Sequence, residues 1–222
     1  MTNMYDWITE TWNPVGGECP HGCFYCYVKS FKIPALKAKY SGEPRLIERE
    51  FKNLGSGKFF FVCSCIDLFA CSEFIISKVL AHCRKYPDNM YLFQTKDTSR
   101  LMKYRHWLPA DCILGTTIET NRVYPQMGNT PKPEHRMSNI HLLHTDAFDT
   151  MVTVEPIMDF DLEEMLNLIY LCSPAWVNIG ADSKGHNLPE PSPEKIKALI
   201  DGLKKAKIEV RLKPNLKRIM KK

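Results

Sequence analysis

No stretch of about 18 consecutive apolar residues occurs in this 222-residue chain, so no membrane-spanning helix is expected. The opening MTNMYDWITE has neither a basic cluster nor an apolar run, so a secretory leader is not expected either. Together these absences predict a cytoplasmic protein whose thiols stay reduced. Internal repeats and low-complexity tracts are also missing, which excludes solenoid and linker architectures. The cysteines are nine, an odd and locally clustered set that suits metal binding better than a disulfide framework. Net charge is only +5, yet residues 204–222 carry nine Lys or Arg against the single acid Glu209. That segment suits phosphates or a nucleic acid; the plainer reading is a solvated helix and a frayed end.

What the chain does have is a rhythm. Apolar runs of strand length alternate with helix-length segments of 3.6-residue periodicity. WITETWNPV, GKFFFVCSCID (57–67), NMYLFQT (89–95), DCILGTTIE (111–119), TMVTVEPIM (150–158), AWVNIGAD (175–182) and KIEVRLKP (207–214) read as strands. Between them, 72–87 reads as a helix with Ser72 as cap and Phe74, Ile75, Val79, Leu80 and Cys83 on its apolar stripe. Residues 98–108 read as a helix capped by Thr or Ser, and 138–148 as another. Residues 161–172, capped by Asp161, and 193–206 complete the set. Such alternation predicts an α/β fold with a parallel sheet. A complete eightfold barrel normally needs about 250 residues. A single domain over 1–222, built as a partial parallel (β/α) barrel of about six to seven strands, fits better.

Polar words close strand after strand: Asp67, Gln94 to Lys96, Glu119 to Arg122, Glu155, Asp182 and Lys213. In parallel α/β folds the ligand sits beyond the carboxyl ends of the strands, so these words predict one active rim. CPHGCFYCY (19–27) falls on that rim, directly after the first strand, with Cys19, Cys23 and Cys26 spaced C-x3-C-x2-C. No second C-x2-C follows it. Three thiolates can hold a 4Fe–4S cluster with one iron left open. A zinc knuckle would have to recruit His21 and crowd four ligands into one loop.

The C-x3-C-x-aromatic-C pattern, with Tyr25 before the third cysteine, resembles the cluster motif of the radical S-adenosylmethionine (SAM) enzymes. Residues 11–28, TWNPVGGECPHGCFYCYV, are similar to the opening of a compact, phage-associated branch, itself distantly like spore photoproduct lyase. The resemblance implies a 4Fe–4S cluster on Cys19, Cys23 and Cys26, and SAM as cofactor. It implies reductive cleavage to a 5′-deoxyadenosyl radical, oxygen sensitivity, and an electron donor such as flavodoxin or ferredoxin. Tyr25 would pack near the adenine. Ser64 and Asp67 in SCIDLF stand where the family often has Gly-Gly-Glu, a departure, and are the candidates for the SAM ammonium. Thr117, Glu119 and Asn121 in TTIETNR are candidates for ribose and ammonium contacts. Arg136 or Arg122 would pair with the carboxylate, and Glu155 would face the cavity.

Cys63, Cys65 and Cys71 form a looser set, open to three readings: apolar core, an auxiliary metal site, or a hydrogen-donating thiol, with Cys65 the candidate. If Asp67 faces inward along a continuous strand, Cys63 and Cys65 face inward with it. The substrate implied by the basic segment is a nucleic acid or a phosphorylated molecule. The competing function is a zinc-stabilised nucleic-acid-binding module without catalysis.

Overall fold

The computed structural model describes residues 4–146 and 148–221. Met1, Thr2 and Asn3, Ala147 of the expected helix 138–148, and Lys222 of the basic segment lie outside them. Strand β1 (Glu10–Trp12) is followed by a small antiparallel pair, β2 (Val15–Gly16) with β3 (Arg45–Leu46), which brackets α1 (Pro34–Lys39). Then come β4 (Phe59–Val62), α2 (Glu73–Cys83), β5 (Met90–Thr95), α3 (Thr98–Lys103), β6 (Cys112–Thr117) and α4 (Pro133–Thr145). The chain ends through β7 (Asp149–Val154), α5 (Leu162–Leu171), β8 (Trp176–Ile179), α6 (Pro193–Lys205), β9 (Glu209–Leu212) and α7 (Lys217–Met220).

Seven strands form one parallel sheet in the order β1-β4-β5-β6-β7-β8-β9, leaving β1 and β9 as its edges. The fold is an α/β partial barrel, open rather than closed. Alternation along the strands builds two cores. Phe60, Val62, Tyr91, Phe93, Leu114, Val152, Val154, Val177 and Ile179 pack under the helices. Their neighbours Phe61, Leu92, Ile113, Met151 and Trp176 face the other way, into the barrel. The chain before β1 plugs that inner face: Tyr5 and Ile8 join the same cluster, and Trp7 packs against Phe59 and Trp176.

The inner face turns polar toward the carboxyl ends. Thr117, Thr153, Asn178 and Arg211 stand in register across β6 to β9, one layer above Gly115, Met151 and Trp176. The floor is therefore dry and the mouth hydrophilic, as the strand-end words predict.

Several local expectations change. β4 stops at Val62 because Cys63 turns the chain with φ at +57°, so strand parity does not link Cys63, Cys65 and Asp67. Phe74 is exposed, and Ile76 takes its place on the buried stripe of α2. Asp97 rather than Thr98 or Ser99 caps α3, accepting from the Arg100 N–H at 3.1 Å. α4 starts earlier than expected, at Pro133, whose fixed φ suits a first helical turn. Asp161 precedes α5 but makes no capping bond, because Arg122 and Asn121 engage its carboxylate.

Candidate functional site

The cysteine loop follows β1 and β2 at the carboxyl rim, and turns of the backbone fold it on itself. Gly22 N–H donates to the Cys19 carbonyl at 3.1 Å, and Cys26 N–H to the Cys23 carbonyl at 3.3 Å. All three cysteines are free thiols, Cys23 buried and the others half-buried. Burial pushes the Cys19 thiol up to about 11, and the Asp67 charge adds to it; burial likewise raises Cys23. Among the described residues no three His, Cys, Asp or Glu side chains are already gathered as a metal site. The donor set nonetheless fits a three-thiolate cluster: one loop, one rim, and an apolar wall of Tyr25, Met127, Met158 and Leu188 around Cys23.

The loop is braced on three sides. His21 Nε2 lies 2.8 Å from Asp67 Oδ2. Lys29 Nζ donates to the carbonyls of Gly22 at 3.1 Å and Cys23 at 2.8 Å. From the connection after β6, the Gln126 carbonyl receives Phe24 N–H at 2.9 Å, and Asn129 N–H donates to the His21 carbonyl at 2.8 Å. Gly128 between them has φ at +68°, and a Cβ there would overlap that carbonyl oxygen.

Beneath the loop lies a buried polar network. Tyr25 hydroxyl donates to Glu119 Oε1, and Arg136 Nη1 donates to Glu119 Oε2 at 2.7 Å. Arg136 is fully buried, and its guanidinium also serves the carbonyls of Thr117 and Pro131 and the hydroxyl of Thr130. Burial alone would raise the Glu119 carboxyl; Arg136, Lys96 and the Tyr25 hydroxyl outweigh it and hold the group at about 2. Burial, with the Glu119 charge beside it, pushes the Tyr25 hydroxyl far up, so it stays a donor.

This geometry corrects several expected roles. Arg136 has its donors engaged inside the protein and faces no open space, so it is not a free partner for a carboxylate. Glu119 is likewise enclosed. Asp67 receives Thr95 Oγ1 at 2.7 Å, Lys96 N–H at 2.8 Å and Phe69 N–H at 3.1 Å besides His21, which leaves no room for an ammonium. Asn121 and Arg122 clasp Asp161, and Arg122 also reaches Asp159 at 2.5 Å. They tie the β6 connection to the start of α5. Ser64 bonds Asn13 at 3.2 Å, and beside it Cys65 Sγ lies 3.5 Å from the Tyr27 hydroxyl. Cys63 and Cys71 are buried in the main core, as the apolar reading has it.

Thr117 and Glu155 stand at the mouth, each in its own set of hydrogen bonds. Gln94 Nε2 donates to Thr117 Oγ1 at 3.0 Å, and the Tyr5 hydroxyl bridges Gln94 Oε1 at 2.7 Å and Thr153 Oγ1 at 2.8 Å. Glu155 accepts from Lys213 Nζ at 2.5 Å and Asn215 Nδ2 at 2.8 Å. Gly180 leaves room for it, since a Cβ there would stand 2.7 Å from Glu155 Oε1. The residues missed from sequence are Tyr5, Gln94, Lys96 and the pairing of Lys213 with Glu155. The strand-end words contained three of them, but no spacing rule says which carboxylate meets which lysine across a sheet.

The family described as "Protein of unknown function (DUF5131)" matches residues 2–214. The chain belongs to that family. No curated protein matches it. Among solved structures, a cysteine-to-serine mutant of spore photoproduct lyase aligns with TM-score 0.63 and 10% identity, covering 91% of this chain and 75% of that one. A mutant of the same lyase with bound AdoMet and dinucleoside spore photoproduct aligns with TM-score 0.61, 10% identity and the same coverage. SuiB of Streptococcus suis bound to S-adenosylmethionine gives TM-score 0.58 at 10% identity, covering 92% of this chain and 49% of that one. This DUF5131 chain thus has the fold of radical SAM enzymes.

Proposed function

We propose that this protein is a radical SAM enzyme. The observation that carries the reading is the placement of Cys19, Cys23 and Cys26 as free thiols in one loop after the first strand, on the polar rim of an open parallel barrel. A bound 4Fe–4S cluster would supply the electron that cleaves the sulfonium of SAM to a 5′-deoxyadenosyl radical, which takes hydrogen from substrate. The protein's part is to hold and to enclose. The three cysteines ligate, while Tyr25 and Met127 keep water from Cys23. Gln94, Thr117, Thr153 and the Glu155–Lys213 pair offer the acceptors and the cation that a zwitterionic nucleoside needs. Lys213 replaces the two engaged arginines as the cation at the mouth.

The substrate is read as a nucleic acid or a phosphorylated molecule. Lys204, Lys205, Lys207, Lys217 and Lys221 are exposed, whereas Arg211, Lys213 and Arg218 pair with Glu209, Glu155 and Glu190. The reading includes one domain over 1–222, a cytoplasmic location, a flavodoxin- or ferredoxin-like donor, and the phage-associated branch suggested by residues 11–28. In the zinc-module alternative His21 would ligate through Nδ1, because its Nε2 is held by Asp67.

The test is anaerobic reconstitution with iron and sulfide, reduction in the presence of SAM, and mass spectrometry for 5′-deoxyadenosine. Nucleoside from the wild type and none from Cys26→Ala supports the reading. A colourless, zinc-loaded protein overturns it.

A further inference from the structure

Lys96 follows β5 at the rim, its backbone N–H held by Asp67 at 2.8 Å. Its side chain is largely buried, and Nζ stands 5.7 Å from the centre of the Tyr25 ring, within the span between Cys23 and Cys26. An ammonium has three donors and wants short partners when desolvated. Here the sole carboxylate in ion-pair range among the described residues is Glu119, at a long 3.4 Å. Glu119 is already matched by the fully buried guanidinium of Arg136 at 2.7 Å. A buried cation left so loosely paired, and aimed beneath a loop of three thiols, calls for an anion on the loop side.

We propose that Lys96 is the counter-cation of the three-thiolate centre and raises its reduction potential. This rests on the radical SAM reading above. Reduction adds negative charge to the centre, and a fixed ammonium in a low-dielectric setting favours the more negative state. The lysine therefore makes the cluster easier to reduce without ligating it.

The experiment is a redox titration of the reconstituted protein without SAM, followed by electron paramagnetic resonance, for wild type, Lys96→Met and Lys96→Arg. Iron content and thermal midpoint are measured on the same samples. The expected result is a lower midpoint potential in Lys96→Met, restored toward wild type in Lys96→Arg, at equal iron content. Unchanged potentials overturn the proposal, and so does a variant whose potential holds while its SAM affinity falls, since that assigns Lys96 to the cofactor carboxylate. Should Lys96→Met not fold, Glu119→Gln is read in the opposite sense: removing the carboxylate should raise the potential, and no rise refutes the idea. A wild type that takes up no iron–sulfur cluster sinks the radical reading itself. A cluster of insensitive potential sinks only the role of Lys96.

Discussion

The imidazole of His21 stands 2.8 Å from the carboxylate of Asp67, and that contact ties the cysteine loop to the ends of β4 and β5. Asp67 is the knot, since it also receives Thr95, Lys96 N–H and Phe69 N–H. Burial alone would raise its carboxyl, but His21 and these donors hold it lowered. Asp67→Asn turns a donor toward donors and should cost about 1–3 kcal/mol. Iron uptake should fall with it, because the loop loses its anchor. Thr95→Val, which removes one of the four bonds, should lower stability less and leave iron content near wild type. Urea unfolding with iron analysis checks both.

Gly128 offers a cleaner separation of loop geometry from stability. Its φ of +68° resembles that of Gly57 at +69°, but a Cβ at Gly57 would meet nothing within 4 Å. Alanine is strained by the positive φ at either place, and at Gly128 ψ of −141° puts the backbone in a region essentially reserved for glycine, at roughly 1–3 kcal/mol. At Gly128 the added methyl also overlaps the His21 carbonyl and crowds Cys23 N at 3.1 Å, so the cysteine loop must shift. Gly57→Ala should bind iron like wild type, and Gly128→Ala should bind distinctly less. Equal iron content in the two variants would falsify the bracing role.

Much of this architecture is legible in the sequence because strand alternation and helix periodicity are local signals. The seven strands and the rim position of Cys19, Cys23 and Cys26 follow from them. Residue roles were less legible because polar groups near a barrel mouth can point inward or sideways. Arg136 lies on α4 and turns back under the sheet to Glu119, and nothing in the spacing 119 to 136 announces it. Cys63 breaks β4 with a positive φ that its residue type does not signal, and the parity argument for Cys65 breaks with it.

Glu155 at the mouth leads to a prediction about the cofactor. Gly180→Ala would place a methyl 2.7 Å from Glu155 Oε1 and 2.8 Å from its Cδ, displacing the carboxylate from Lys213. If the pair helps hold SAM, Gly180→Ala and Glu155→Gln should weaken SAM binding to a similar extent. Thermal stability should change less than for the buried network, since both partners are partly solvated. Titration calorimetry on the reconstituted protein reads the affinity.

The pair of Glu119 and Arg136 gives a pH dependence of defined sign. Glu119 stays ionised down to about 2, below the ordinary value of about 4.3 in an unfolded chain. A depressed carboxyl contributes stability that is complete above the unfolded value and is lost as pH falls toward the folded one. For this group it amounts to about 3 kcal/mol. Arg136→Met leaves a buried carboxylate with the Tyr25 hydroxyl and, as its one remaining cation among the described residues, Lys96 at 3.4 Å, at a cost of roughly 3–5 kcal/mol at neutral pH. Loss of Arg136, the largest influence lowering Glu119, raises its folded value. From pH 7 to pH 4 the gap between Arg136→Met and wild type should therefore narrow, as wild type begins to lose the stability that its depressed Glu119 contributes. Urea midpoints at pH 7, 5.5 and 4 measure it, and a gap that stays constant or widens would mean that Arg136 does not govern the Glu119 charge.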